Sequence, residues 1–136
     1  MSFLIDTDLL SMLERKQVSP KLARWIQKNE AGIFLSIVSF AELQFGLDHA
    51  PATHKVSLGA WLAEMRRKLA PATEELTEGV LVRWKELLSD LKKNKRSMTC
   101  EDSLIAATAL YHGHAVATRN TRHFEPAGVA IVDPLA

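Results

Sequence analysis

A short apolar run, Phe3-Leu4-Ile5, breaks off in a carboxylate, Asp6, almost at the start of the chain. Three apolar residues with no polar alternation read as a central strand buried on both faces, and such strands belong to parallel sheets covered by helices. In an open sheet of that kind ligands bind beyond the carboxyl ends of the strands, where backbone groups face solvent. The first residue this strand delivers to that edge is an acid.

The rest of the chain repeats the alternation of strand and helix. Leu9, Leu10 and Leu13 mark a helix from Thr7 to Glu14, with Asp6 or Thr7 as N-cap. Ser19-Pro20 opens a second helix with Leu22, Trp25 and Ile26 inside, which ends near Asn29 to Gly32. Ile33 to Ser36 is a second buried strand. Ser39 and Glu42 have the spacing of a capping box at the head of a third helix, apolar on nearly all sides and therefore expected to be buried. A fourth helix runs from Thr53 to Lys68, and Leu69-Ala70-Pro71 reads as a brief strand beside the second. Thr73 to Leu91 is expected as the longest helix. Ser103 to Tyr111 is the next, closed by Gly113, and two strands, Ala115 to Thr118 and Val129 to Val132, flank a polar turn at Arg119 to Phe124. The expected fold is a three-layer α/β/α sandwich with a mainly parallel sheet of four to five strands, in one domain over residues 1–136.

Length and composition support a self-sufficient core: 136 residues, 47% hydrophobic and 24% charged, exclude disordered and fibrous classes. The single cysteine, Cys100, forms no internal disulfide and is read as a small buried side chain. No basic segment precedes Phe3 and no apolar run reaches membrane-spanning length, so a cytoplasmic protein without a membrane partner is expected. A net charge of +1 conceals a basic cluster at Lys92-Lys93-Asn94-Lys95-Arg96, read first as a solvated helix end, and a second pair at Arg119 and Arg122. The five histidines lack the pairing of a zinc enzyme and are assigned structural or surface roles. The six glycines are isolated and form no phosphate-cradling loop.

Three acids stand where core residues would otherwise be: Asp6, Glu42 and Asp102. Capping accounts for each singly: Asp6 caps the first helix, Glu42 answers Ser39, Asp102 answers Thr99. It does not account for all three lying at ends that a parallel sheet brings to one edge. Convergent carboxylates repel and hold protons unless a cation sits among them. A hard divalent ion, with oxygen ligands and retained water, suits such a site, and phosphodiester hydrolysis suits the ion.

Leu4-Ile5-Asp6-Thr7, Ser36 to Leu43, Asp102 to Ala109 and Thr118 to Phe124 together resemble the PIN-domain family, and within it the VapC-type toxins of bacterial toxin–antitoxin pairs. The blocks span nearly the whole chain in order. The resemblance implies a metal-dependent ribonuclease, homodimeric and held inactive by a cognate antitoxin, with RNA as substrate and Mg²⁺ as cofactor, Mn²⁺ being a possible substitute. It carries the family's acids onto Asp6, Glu42 and Asp102, with Asp6 and Asp102 as metal ligands. Glu42 would serve a second ion or orient water. The fourth catalytic position, often aspartate, falls on Asn120, which has one negative charge fewer; a turn residue is the other reading of it. Arg119 and Arg122 would reach RNA phosphates or simply solubilise their loop. Two rivals remain at this point. Asp6-Thr7-Asp8 also resembles the start of haloacid-dehalogenase-type phosphatases, although Leu9 stands where those have glycine. A catalytically inactive PIN-like binding scaffold is the other.

Overall fold

The structure is a computed structural model describing residues 1–136. In chain order its elements are β1 (Phe3–Ile5), α1 (Thr7–Glu14), α2 (Pro20–Asn29), β2 (Ile33–Ser36), α3 (Ile37–Asp48) and α4 (Ala52–Leu69). They continue as β3 (Thr73–Glu74), α5 (Glu78–Lys93), α6 (Cys100–His112), β4 (Ala115–Ala117), α7 (Thr121–Phe124) and β5 (Ile131–Val132). The five strands form one sheet in the order β3-β2-β1-β4-β5, and every pairing is parallel. β1 is central: Ile5 lies opposite Leu35 on one side and Ala117 on the other.

Successive side chains of β1 point to opposite faces, and this divides the interior in two. Phe3 and Ile5 face a core built with Leu9, Leu10, Leu22, Phe40 and Leu62 from α1 to α4. Leu4 faces the other, with Leu87 and Leu91 of α5, Ile105 and Ala106 of α6, and Phe124. Helices thus cover both faces of the sheet, as the unbroken apolar character of Phe3-Leu4-Ile5 requires. No helix is long and apolar enough to cross a membrane.

Polar side chains start most helices. Asp6 accepts a hydrogen bond from the Leu9 amide at 2.9 Å, Ser19 from Leu22 at 3.1 Å, Thr77 from Val80 at 3.3 Å and Thr99 from Asp102 at 3.1 Å. Gly113 ends α6 with φ of 76°, a left-handed conformation that suits glycine.

Several expectations are corrected. α3 begins at Ile37 with Ser36 as its cap, whose Oγ accepts from the Val38 amide at 3.0 Å, so Ser39 and Glu42 form no capping box. Nor is α3 buried all round: Phe45 is 67% exposed, and the inward face is Val38, Ser39, Phe40 and Leu43. Ala70–Ala72, which includes Pro71, forms one 3-10 turn, and the strand beside β2 is Thr73–Glu74 instead. Because β3 takes those residues, α5 starts only at Glu78, and α4, with 18 residues, is the longest helix. α6 starts three residues earlier than expected because Thr99 caps it, and this leaves Cys100 exposed in its first turn, not buried.

This topology fixes where chemistry can gather. The carboxyl ends of parallel strands share one edge, so α1 and α3 start there. α6 runs back against β4 through the Gly113 turn and its amino end therefore reaches the same edge, as does the chain leaving β4 at Thr118.

Candidate active site

Asp6 is the innermost acid, 4% exposed. Its amide donates to the Ala117 carbonyl at 3.1 Å, which continues the β1–β4 ladder by one step and aims the side chain along the edge. One carboxylate oxygen accepts from the Leu9 amide, and the other from the fully buried Thr118 hydroxyl at 2.5 Å. Burial pushes its pKa up to about 6; the bonds from Thr118 and Leu9 oppose this, and the charges of Asp8 and Asp102 add to it.

Glu42, half-buried one turn inside α3, is held by Thr7. Thr7 Oγ1 lies 2.6 Å from Glu42 Oε1 and 2.8 Å from Ser39 Oγ; its one proton goes to the carboxylate, and the second contact is shared with the serine hydroxyl. Burial raises the Glu42 pKa, the Thr7 bond lowers it, and Glu101 and Asp102 raise it further. Asp102, in the first turn of α6, is partly exposed with its pKa raised by burial, while His123 and Thr99 favour its charged form. The charge of Asp102 thus acts on both Asp6 and Glu42.

Asn120 and Arg119 are placed by a residue whose part the sequence did not disclose. Asp8, in the first turn of α1, accepts from Arg119 Nε at 2.7 Å and from Asn120 Nδ2 at 3.1 Å. The Arg119 bond holds the Asp8 carboxyl below its ordinary range. Asp8 thus does more than complement the dipole of α1. Thr118 completes the loop by accepting from the Asn120 amide at 2.9 Å. Arg122 is exposed on α7, and beside it His123 Nδ1 stands 3.6 Å from Asp102 Oδ2. Sequence reasoning gave His123 only a structural or surface role; its position three residues beyond Asn120 was the available signal. His112 and His114 do serve structure: both reach Glu74 at 3.0 Å, His114 within the interior and bonded to Ser2.

No three His, Cys, Asp or Glu side chains are gathered to hold one ion between them. The donor set nevertheless fits a hard divalent ion that keeps most of its water, which needs only one or two carboxylates. Asp6 and Asp102 could supply those two: each Asp6 oxygen accepts a single protein bond and retains acceptor capacity, and a cation would offset the effects that raise both acids.

With this geometry in hand, comparison with known proteins places the chain. A sequence profile of the PIN domain matches residues 3–129, and the chain belongs to that family. The VapC ribonuclease Y4jK of Sinorhizobium fredii is 29% identical over 137 residues, covering 96% of this chain and 95% of that protein. Ribonuclease VapC1 of Rickettsia felis is 30% identical over 125 residues, covering 92% and 90%. The crystal structure of FitAcB from Neisseria gonorrhoeae superposes with a TM-score of 0.88 at 28% identity, covering 98% of each chain. The whole-chain match to PIN proteins disfavours the phosphatase reading, as does the engagement of Asp8 with Arg119 and Asn120.

Proposed function

We propose that this protein is a Mg²⁺-dependent endoribonuclease and the toxin of a toxin–antitoxin pair. The observation that carries the proposal is Asp6: a buried carboxylate with a pKa near 6, at the carboxyl edge of a parallel sheet, sharing its field with Asp102. The names of the VapC relatives support the choice of RNA as substrate and of a toxin's role. When bound, the ion supplies Lewis acidity at the phosphoryl group and activates water.

The remaining tasks fall to the chain. Asp6 and Asp102 hold the ion, Asp6 oriented by Leu9 N–H and Thr118 Oγ1. Glu42, its proton affinity raised by burial and its carboxylate steadied by Thr7, orients the attacking water or accepts its proton. Asn120, tied to Asp8, presents an amide to the substrate side of the loop. Arg122 meets a backbone phosphate; Arg119 does so on leaving Asp8. The exposed apolar Leu81 and Val82 on α5 are consistent with a homodimer, which light scattering tests. A cognate antitoxin would inhibit by setting an arginine among the acids.

The decisive experiment is incubation of total RNA with purified protein, with and without Mg²⁺, beside Asp6→Asn, followed by mapping of the new ends. Discrete Mg²⁺-dependent ends absent with Asp6→Asn are expected. Equal cleavage by the variant, or none by either protein, would overturn the ribonuclease reading.

A further inference from the structure

Two cavities border the acids, and they differ in charge. One lies between α1, α3 and α4 and carries Glu14, Glu42 and Arg15, with Glu14 bonded to His54 at 3.2 Å. The other lies between the α5–α6 loop and α7 and is lined by Ser97, Met98, Thr99, Asp102, Arg122 and His123. The first sets two acids against one arginine and the second sets one acid against one arginine, so a polyanionic strand meets less opposing charge at the second.

The loop leading into the second cavity is itself basic and has a defined shape. α5 ends with the Asn94 amide on the Asp90 carbonyl at 3.0 Å, Lys95 at φ of 53°, and the Arg96 amide on the Leu91 carbonyl at 2.9 Å. That six-residue closure fixes Arg96 immediately before Ser97 at the cavity. Lys95, Arg96 and Arg122 are exposed and enter no ion pair, whereas Arg119 is already occupied by Asp8. The cluster from Lys92 to Arg96 therefore does more than complement a helix dipole: its last residues adjoin a cleft whose wall includes Asp102.

We infer that this cleft is the subsite for the nucleotide next to the scissile phosphate of single-stranded RNA, with Arg96 and Arg122 on its backbone and Met98 and His123 against its base. The inference rests on the ribonuclease reading and adds to it where the strand runs and which residues select sequence. Guanidinium forks match phosphate geometry, and a thioether beside an imidazole ring offers a soft, sequence-tolerant platform for a base. Ser97 and Thr99 supply hydroxyl groups that can tell base edges apart.

The test uses the full chain carrying Asp6→Asn, which binds without cutting, and a fluorescein-labelled single-stranded RNA of about twelve nucleotides followed by anisotropy across a salt series. Adding Arg96→Gln is expected to weaken binding several-fold and to reduce the slope of log K against log salt by about 0.7, the value of one single-strand phosphate contact. In the cutting protein, Arg96→Gln is expected to raise KM with kcat unchanged, and Ser97→Ala to relax the base preference beside the mapped cut. An Arg96→Gln protein with the parent's Kd and salt slope would overturn the subsite. So would a fall in kcat alone, which would place the loop in the chemistry. Because the binding arm needs no cleavage, failure of the ribonuclease reading shows separately, as an inactive parent.

Discussion

Replacing Asp6 by asparagine should stabilise the protein at neutral pH while abolishing its activity. The Asp6 pKa of about 6 in the fold, against 3.8 unperturbed, means that the native state binds this proton more tightly than the unfolded chain does. A raised folded-state pKa contributes stability that is fully present below about pH 3.8 and is lost as the pH rises through about 6. At about 1.4 kcal/mol per pH unit, the loss amounts to about 3 kcal/mol. Asparagine never ionises and escapes it. Its amide has one acceptor oxygen where the carboxyl has two, so either the Leu9 amide or the Thr118 hydroxyl faces an NH₂ that cannot accept, a loss of roughly 1–2 kcal/mol at any pH. The variant should therefore be more stable by about 1–2 kcal/mol at pH 7.5, or roughly 3–6 °C in Tm for a chain of this size, and less stable than the parent at pH 4. Calorimetry of both proteins in chelator from pH 4 to 7.5 reads the difference, in which the raised pKa values of Glu42 and Asp102 largely cancel. Mg²⁺ at ten times its Kd should then restore about 1.4 kcal/mol to the parent alone. A Tm difference that does not change with pH, or a less stable variant at pH 7.5, would refute the account of Asp6 as a charge held against desolvation.

Thr118→Val removes the donor to Asp6 with little change in shape; a loss of about 1–3 kcal/mol in urea unfolding at pH 7.5 is expected, and less than about 0.5 would show that the bond does not matter. Mg²⁺ or Mn²⁺ should raise the Tm of the parent and not of Asp6→Ala or Asp102→Ala, and an equal rise in all three proteins would defeat the metal assignment. Leu4→Ala, at a fully buried site on the central strand, should lose about 3–5 kcal/mol by chemical denaturation; a loss under about 2 would mean that the two helical layers close around the gap.

What could be read from the sequence follows the strength of the local signal. β1 and β2 are short apolar runs ending in polar residues, and burial on both faces leaves them no other reading, so the parallel sheet and its helical layers follow. α2 was legible because Ser19-Pro20 is a start signal that acts through bonds within its own turn. β3 was not, because two half-buried residues carry no periodicity and depend on pairing with β2. The serine at the head of α3 was misassigned for a related reason: Ser36 and Ser39 both suit a cap, and the choice falls to Ser36 because Ser39 faces Thr7 across the fold. Asp6, Glu42 and Asp102 could be named because an acid in an apolar context is conspicuous. Asp8 and His123 sit among polar neighbours, and only their partners, Arg119 with Asn120 and Asp102, distinguish them.

Those partners give the first turn of α1 an organising part that no single residue shows. Asp6 reaches Thr118 at the end of β4, Thr7 reaches Glu42 and Ser39 on α3, and Asp8 reaches Arg119 and Asn120 beyond β4. Three consecutive side chains thus tie separate elements to one point, and the placing of Asp6 and Glu42 follows from a single helix start. A double-mutant cycle on Thr7→Val and Glu42→Gln isolates one tie. Removing the Thr7 hydroxyl alone leaves a half-buried carboxylate without its donor and raises the Glu42 pKa further, whereas in the Glu42→Gln background the hydroxyl has only a neutral partner to lose. The two substitutions should couple by about 0.5–3 kcal/mol at pH 7.5, where Glu42 is charged, and by less at pH 4. Additive effects at both pH values would mean that α1 and α3 are aligned by packing of Leu9, Leu10, Phe40 and Leu43 alone, with the polar ties following from that packing instead of setting it.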